Sequence, residues 1–179
     1  LLTALGIPTG GLQVAAGGPA WLHPGRSGTL RFGPRTEIGW FGEVHPRVMK
    51  ALDLKGTLVA FEIVLDALPL PKHKPTKAKP ALALSDFQPL SRDFAFVVER
   101  AVPAGDLVKA ALNAERKLIA GIDVFDLYEG AGIPEGSKSV AIAVRLQPVE
   151  RTLTDAEIEA VSARIVAEVG RKTGATLRA

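Results

Sequence analysis

VFDLYEGAGIPEGSKSVAIAVRLQ (residues 124–147) reads as two strands joined by a glycine-rich turn. In the second strand Val140, Ile142, Val144 and Leu146 alternate with Ser139, Ala141, Ala143 and Arg145, the period-two pattern of a strand with one buried face. If Phe125 and Leu127 join the apolar row, Asp126 and Tyr128 fall on the opposite face beside the small residues. That face would hold an aromatic ring, a carboxylate, a hydroxyl and a guanidinium over a floor of alanines.

The flanking sequence fixes the architecture. In RDFAFVV (92–98), Phe94, Phe96 and Val98 face one way and Asp93, Ala95 and Val97 the other, so Ala95 extends the small-residue floor. Pro103 opens a helix containing Leu107, Ala111 and Leu112. IAGIDVFDLY (119–128) and GSKSVAIAVRLQ (136–147) are the second and third strands. Thr154 followed by Glu157 spells a capping box, in which hydroxyl and carboxylate satisfy free amides at a helix start. Ile158, Val161, Ile165 and Val169 then recur at helical spacing, Gly174 lies just past the end, and ATLR (175–178) is a short last strand. The order βαββαβ predicts a ferredoxin-like domain with both helices on one sheet face and the other face open.

Upstream, PLPKHKPTKAKPALALSD (69–86) carries Pro69, Pro71, Pro75 and Pro80, which neither a helix nor a central strand tolerates. A domain boundary is placed there, with a Pro/Lys-rich linker over 71–85 separating residues 1–70 from residues 86–179; its lysines read as a solvated linker. Before it, GTLRF (28–32), EIGWFGEV (37–44) and TLVAFEIVL (57–65) read as strands, and Pro46 with Val48, Met49 and Leu52 as one short helix. The region is mostly antiparallel and too short to close a sheet. The start, LLTALGIPTGG, has neither Met nor the basic start of a signal peptide, as expected for a piece of a longer protein.

The 179 residues, 47% apolar and 23% charged, suit one ordinary domain or two small ones. With no cysteine there is no disulfide, thiolate metal site or thiol nucleophile, which fits a reducing compartment. No apolar run reaches the roughly 18 residues of a membrane span. The net charge of +3 is uneven: residues 1–90 hold 10 Lys and Arg against 6 Asp and Glu, and residues 91–179 hold 12 against 13. If the protein binds nucleic acid, bulk positive charge cannot be the whole reason.

Enzyme motifs are missing. His23, His45 and His73 lack metal-like spacing, and the first two precede prolines, which favours a turn role. GAGIPEG (130–136) has Glu135 where a dinucleotide fingerprint needs its third glycine, and reads as a long hairpin turn. The open face is the chemistry that is left. An unstacked base could lie on Tyr128 with its polar edge at Asp126 or Ser139, and a carboxylate acceptor would favour guanine's N1/N2 edge. A solvated face, a face covered by another subunit, and a small-molecule regulatory module remain alternatives on pattern alone.

These residues also carry a family resemblance. SDFQPLSRDFAFVV, VFDLYEGAGIPEGSKSVAIAVRLQ, RTLTDAEIEAV and KTGATLR resemble the C-terminal domain of the bacterial phenylalanyl-tRNA synthetase β subunit, and GWFGEVHPRVMKALDLKGTLVAFEIVLDAL (39–68) resembles the segment before it. The resemblance implies an α+β chain: the end of a class II synthetase-like module that has lost its chemistry, then an anticodon-binding ferredoxin-fold domain. It further implies a cytoplasmic ligase of two α and two β chains, with ATP and phenylalanine bound by the α subunit and magnesium-linked residues upstream. No catalytic, metal or cofactor site is implied in residues 1–179. The family's anticodon contacts fall on Asp126 and Tyr128 with Ser139 close by, so that Tyr128 would stack on a guanine of tRNA(Phe) whose edge meets Asp126 and Ser139. Ala95 and Arg178 are lesser candidates.

Overall fold

A computed structural model describes residues 1–69 and 85–178. The chain forms two compact units, Leu1–Lys79 and Pro80–Ala179. The sequence-predicted linker over 71–85 lies outside the described residues except for Ser85.

The first unit is an open four-stranded antiparallel sheet in the order β1-β2-β3-β4: Leu12–Ala16, Leu22–Phe32, Thr36–Val44 and Val59–Ile63. β1 lies in the stretch where the sequence offered no strand, and its LQVAA has little β-branched or aromatic character to announce it. β4 is shorter than 57–65, because Leu65–Ala67 turns into a 3₁₀ helix. The short helix α1 (Pro46–Ala51) is capped by His45, whose Nδ1 accepts the Arg47 N–H at 3.0 Å. His23 Nδ1 likewise accepts the Gly25 N–H at 3.1 Å, so both histidines hold local backbone, and their rings stack with centroids 6.4 Å apart. One core of this unit gathers Leu2, Ile7 and Ile38, and another Leu22, Val44 and Met49. Leu52, expected on the helix's apolar face, is instead the exposed residue that ends it.

The second unit has the element order β5 (Leu90–Glu99), α2 (Ala104–Ala114), β6 (Ile119–Tyr128), β7 (Ser137–Leu146), α3 (Asp155–Thr173), β8 (Thr176–Leu177). Its strands pair antiparallel in the order β6-β7-β5-β8, the ferredoxin-like arrangement. Phe94, Phe96 and Val98 of β5 and Val140, Ile142, Val144 and Leu146 of β7 pack against Leu107, Ala110 and Ala111 of α2 and Val161, Ile165 and Val169 of α3. Leu112 lies at the exposed side of α2, and Ala110 takes the core position. The ends of α3 follow the sequence signals. Thr154 Oγ1 accepts the Glu157 N–H, Glu157 accepts the Thr154 N–H at 2.9 Å, and Gly174 ends the helix at φ 69, a conformation that favours glycine.

One expectation about β6 fails. Phe125 does not join the core; it is 58% exposed. The pairing runs Val124↔Ile142 and then Asp126↔Ala141, so Phe125 is an extra residue in a β-bulge. Below the bulge it is Ile122 and Val124 that stand opposite the buried side chains of β7, and above it Leu127 stands opposite Val140. Leu127 remains half exposed, at the end of the sheet.

Candidate functional site

Directly paired residues of neighbouring strands share a sheet face, so the register alone lays out the open side of the second sheet. Tyr128, Ser139, Val97 and Thr176 form one row across β6, β7, β5 and β8. Asp126, Ala141 and Ala95 form the next, where the Arg178 N–H also donates to the Ala95 carbonyl at 2.7 Å. Asp123, Ala143 and Asp93 follow, then Gly121, Arg145 and Ser91. Asp126, Tyr128, Ser139 and Ala95 thus lie together, as the alternation suggested.

The bulge adds what the alternation missed. With strict period two through β6, Asp123 would point to the helices; the extra residue at Phe125 puts Asp123 on the open face with Asp126. A third carboxylate, Asp93, enters from β5 on the far side of Ala143. Asp93 and Asp123 are two strand spacings apart, about 10 Å, too far to share an ion. Among the described residues no group of three or more His, Cys, Asp or Glu is placed to hold a metal.

Arg178 is more central than its place in the sequence suggests. β6 and β8 are the opposite edges of the sheet, about 14 Å apart at ordinary strand spacing. Even so, the Arg178 guanidinium carbon sits 5.6 Å from the centroid of the Tyr128 ring, in cation–π range. The two side chains therefore meet over the middle strands, where Ser139 is only 4% exposed. Tyr128 is also held at the hairpin. Its hydroxyl donates to the Ala131 carbonyl at 3.2 Å, and a Cβ on Gly130 would come within 2.7 Å of that hydroxyl, so glycine there lets the ring lie against the turn. The ring is fixed yet 39% exposed. A large aromatic held without being buried, beside an exposed carboxylate and a long-chain cation, can stack a flat π-system and read N–H donors at its edge.

The second unit's fold and this face define a class of protein: the chain belongs to the ferredoxin-fold anticodon binding domain family, whose model matches residues 85–178. A second family model, the phenylalanyl tRNA synthetase beta chain CLM domain, matches residues 1–65. The chain is 59% identical over 179 residues to the phenylalanine–tRNA ligase beta subunit of Bradyrhizobium diazoefficiens, covering 100% of this chain and 22% of that protein. It is 58% identical to the corresponding subunit of Rhodopseudomonas palustris and 55% to that of Brucella abortus, in each case over 99% of this chain and 22% of the relative. The chain therefore spans about a fifth of the length of these relatives.

Proposed function

We propose that this chain is the anticodon-reading part of a phenylalanine–tRNA ligase β subunit and performs no bond chemistry of its own. The observation that carries the reading is the held, half-exposed Tyr128 beside Asp126 on a floor of Ala95 and Ala141. A base of tRNA(Phe) stacks on Tyr128, and the Asp126 carboxylate accepts N–H donors from its edge, which suits the N1/N2 edge of guanine. Arg178 lies over part of the Tyr128 ring, so the base either takes the opposite ring face or replaces the guanidinium. Ser139, only 4% exposed, lies in the floor beside Tyr128 and offers the base little surface.

The wider assignment belongs to the same proposal and is supported by the likeness to phenylalanine–tRNA ligase β subunits. Residues 86–179 are the anticodon-binding domain, 71–85 a linker, and 1–70 the end of a non-catalytic module related to class II synthetase cores. The working enzyme is a cytoplasmic α2β2 assembly. ATP and magnesium support its attachment of phenylalanine to tRNA in parts of the enzyme other than the residues described here.

The test is tRNA(Phe) binding and aminoacylation by the assembled enzyme carrying Tyr128→Ala. Loss of one base–aromatic stack lowers affinity by about 1–3 kcal/mol. Affinity equal to that of the wild type overturns the platform.

A further inference from the structure

The open face does not end at the row of Asp126. Two rows further along β7, Arg145 is exposed in the middle of the sheet, with Gly121 on one side and Ser91 on the other. A Cβ on Gly121 would lie 2.9 Å from an Arg145 terminal nitrogen, so the guanidinium occupies the space where β6 has no side chain. Close packing over glycine limits the freedom of a long side chain and pre-sets its planar fork of donors. The described residues give it no ion pair, although four other arginines of the second unit each make one. Asp93 and Asp123 stand one row away but diagonally from it.

The charges along this face are ordered. From the Tyr128 row to the Arg145 row is six residues of β7, about 20 Å. Between them lie the carboxylates Asp126, Asp123 and Asp93. Such a belt accepts base-edge N–H groups and repels phosphates. A single strand crossing it must keep its bases toward the sheet and its phosphates away until it has passed the acids. The first cation that it then meets on this face is Arg145.

We infer that Arg145 is a phosphate-binding residue for the same RNA strand whose base stacks on Tyr128, which makes the open face a two-point clamp. This rests on the anticodon-binding reading and adds the path of the strand. Guanidinium donors pair bidentately with phosphate oxygens, whereas the Tyr128 end recognises a base without neutralising a charge. The two ends therefore differ in salt dependence.

The experiment measures the dissociation constant of tRNA(Phe) against salt concentration for the assembled enzyme, comparing wild type with Arg145→Gln, Arg145→Lys and Tyr128→Ala. Arg145→Gln is expected to weaken binding several-fold at low salt and to make the log–log salt slope shallower by about 0.7, the value for one single-strand phosphate contact. Arg145→Lys should restore the slope and part of the affinity. Tyr128→Ala should weaken binding at an unchanged slope. If Tyr128→Ala weakens binding while Arg145→Gln changes neither affinity nor slope, the clamp is overturned and the platform stands. An affinity loss in Arg145→Gln at unchanged slope also overturns the phosphate assignment, since it indicates a neutral contact. If Tyr128→Ala has no effect, the anticodon-binding reading falls and the clamp falls with it.

Discussion

On the first unit's sheet, Val59 and Phe61 of the edge strand β4 are 70% and 69% exposed, with Phe41 half-exposed on the neighbouring strand. On the second unit's sheet the uncovered face shows carboxylates, alanines, an arginine and one tyrosine held by its own turn. Both sheets are four-stranded, antiparallel and open. The difference lies in what is left facing outward. Large apolar side chains clustered at an exposed edge are surface that proteins cover with other protein. Small residues with fixed polar groups are surface that meets a solvated ligand. Exposure alone does not mark a ligand site; the chemistry and the constraint of the exposed groups do.

The second sheet's two faces should differ most in what each contributes to stability. Phe96 is fully buried on the helix side, among β5, β7 and both helices. Phe96→Ala should cost about 3–5 kcal/mol in unfolding free energy, measured by denaturant titration. Tyr128→Ala, on the other face, should leave stability within about 1 kcal/mol while lowering tRNA affinity. Equal losses of stability would mean that the open face is a second core.

How much of this could be read beforehand depends on whether the signal was local. The capping box at Thr154 and Glu157, the glycine stop at 174 and the alternation of Phe94, Phe96 and Val98 are set by neighbours in the chain, and each appears where the residues placed it. The bulge at Phe125 is not local. An apolar residue flanked by Val124 and Asp126 fits strict alternation equally well, and only pairing with β7 shows that one residue is extra. Strict alternation therefore hides Asp123 on the helix side and sends Phe125 to the core, both reversed by the bulge. The meeting of Arg178 with Tyr128 depends on strand order and on two long side chains crossing the sheet, neither of which sequence spacing encodes.

A smaller effect sharpens the contrast between α3, which is pinned at its start, and the faces it helps to define. Thr154→Ala should cost about 1 kcal/mol through the lost cap. The Glu157 carboxyl is lowered from its ordinary 4.5 to about 2, chiefly by its hydrogen bonds from Arg151 and then by those from the Thr154 backbone and hydroxyl. Because the folded value is the lower one, its contribution is complete above about 4.5 and is lost as pH falls through about 2. Melting temperatures between pH 5 and pH 2 should therefore fall less steeply for Glu157→Gln than for the wild type. Identical slopes would mean that the carboxyl is not held as described.

The smallest expected change tests the first sheet. Phe61 stands opposite Phe41, and the Phe41 ring lies against Gly28, where a Cβ would come within 2.7 Å of it. Phe61 faces its cross-strand partner in register but is 69% exposed, and a cross-strand pair contributes at most roughly 0.2–1 kcal/mol. Phe61→Thr places another residue of high strand propensity on the edge strand while removing most of the apolar surface. Its unfolding free energy should fall by no more than about 1 kcal/mol, and self-association measured by sedimentation should decrease, since an exposed apolar edge strand templates pairing with another copy. A loss of stability approaching that of Phe96→Ala would place Phe61 in a packed interior. The apolar edge of the first sheet would then be core, and the contrast with the polar face of the second would disappear.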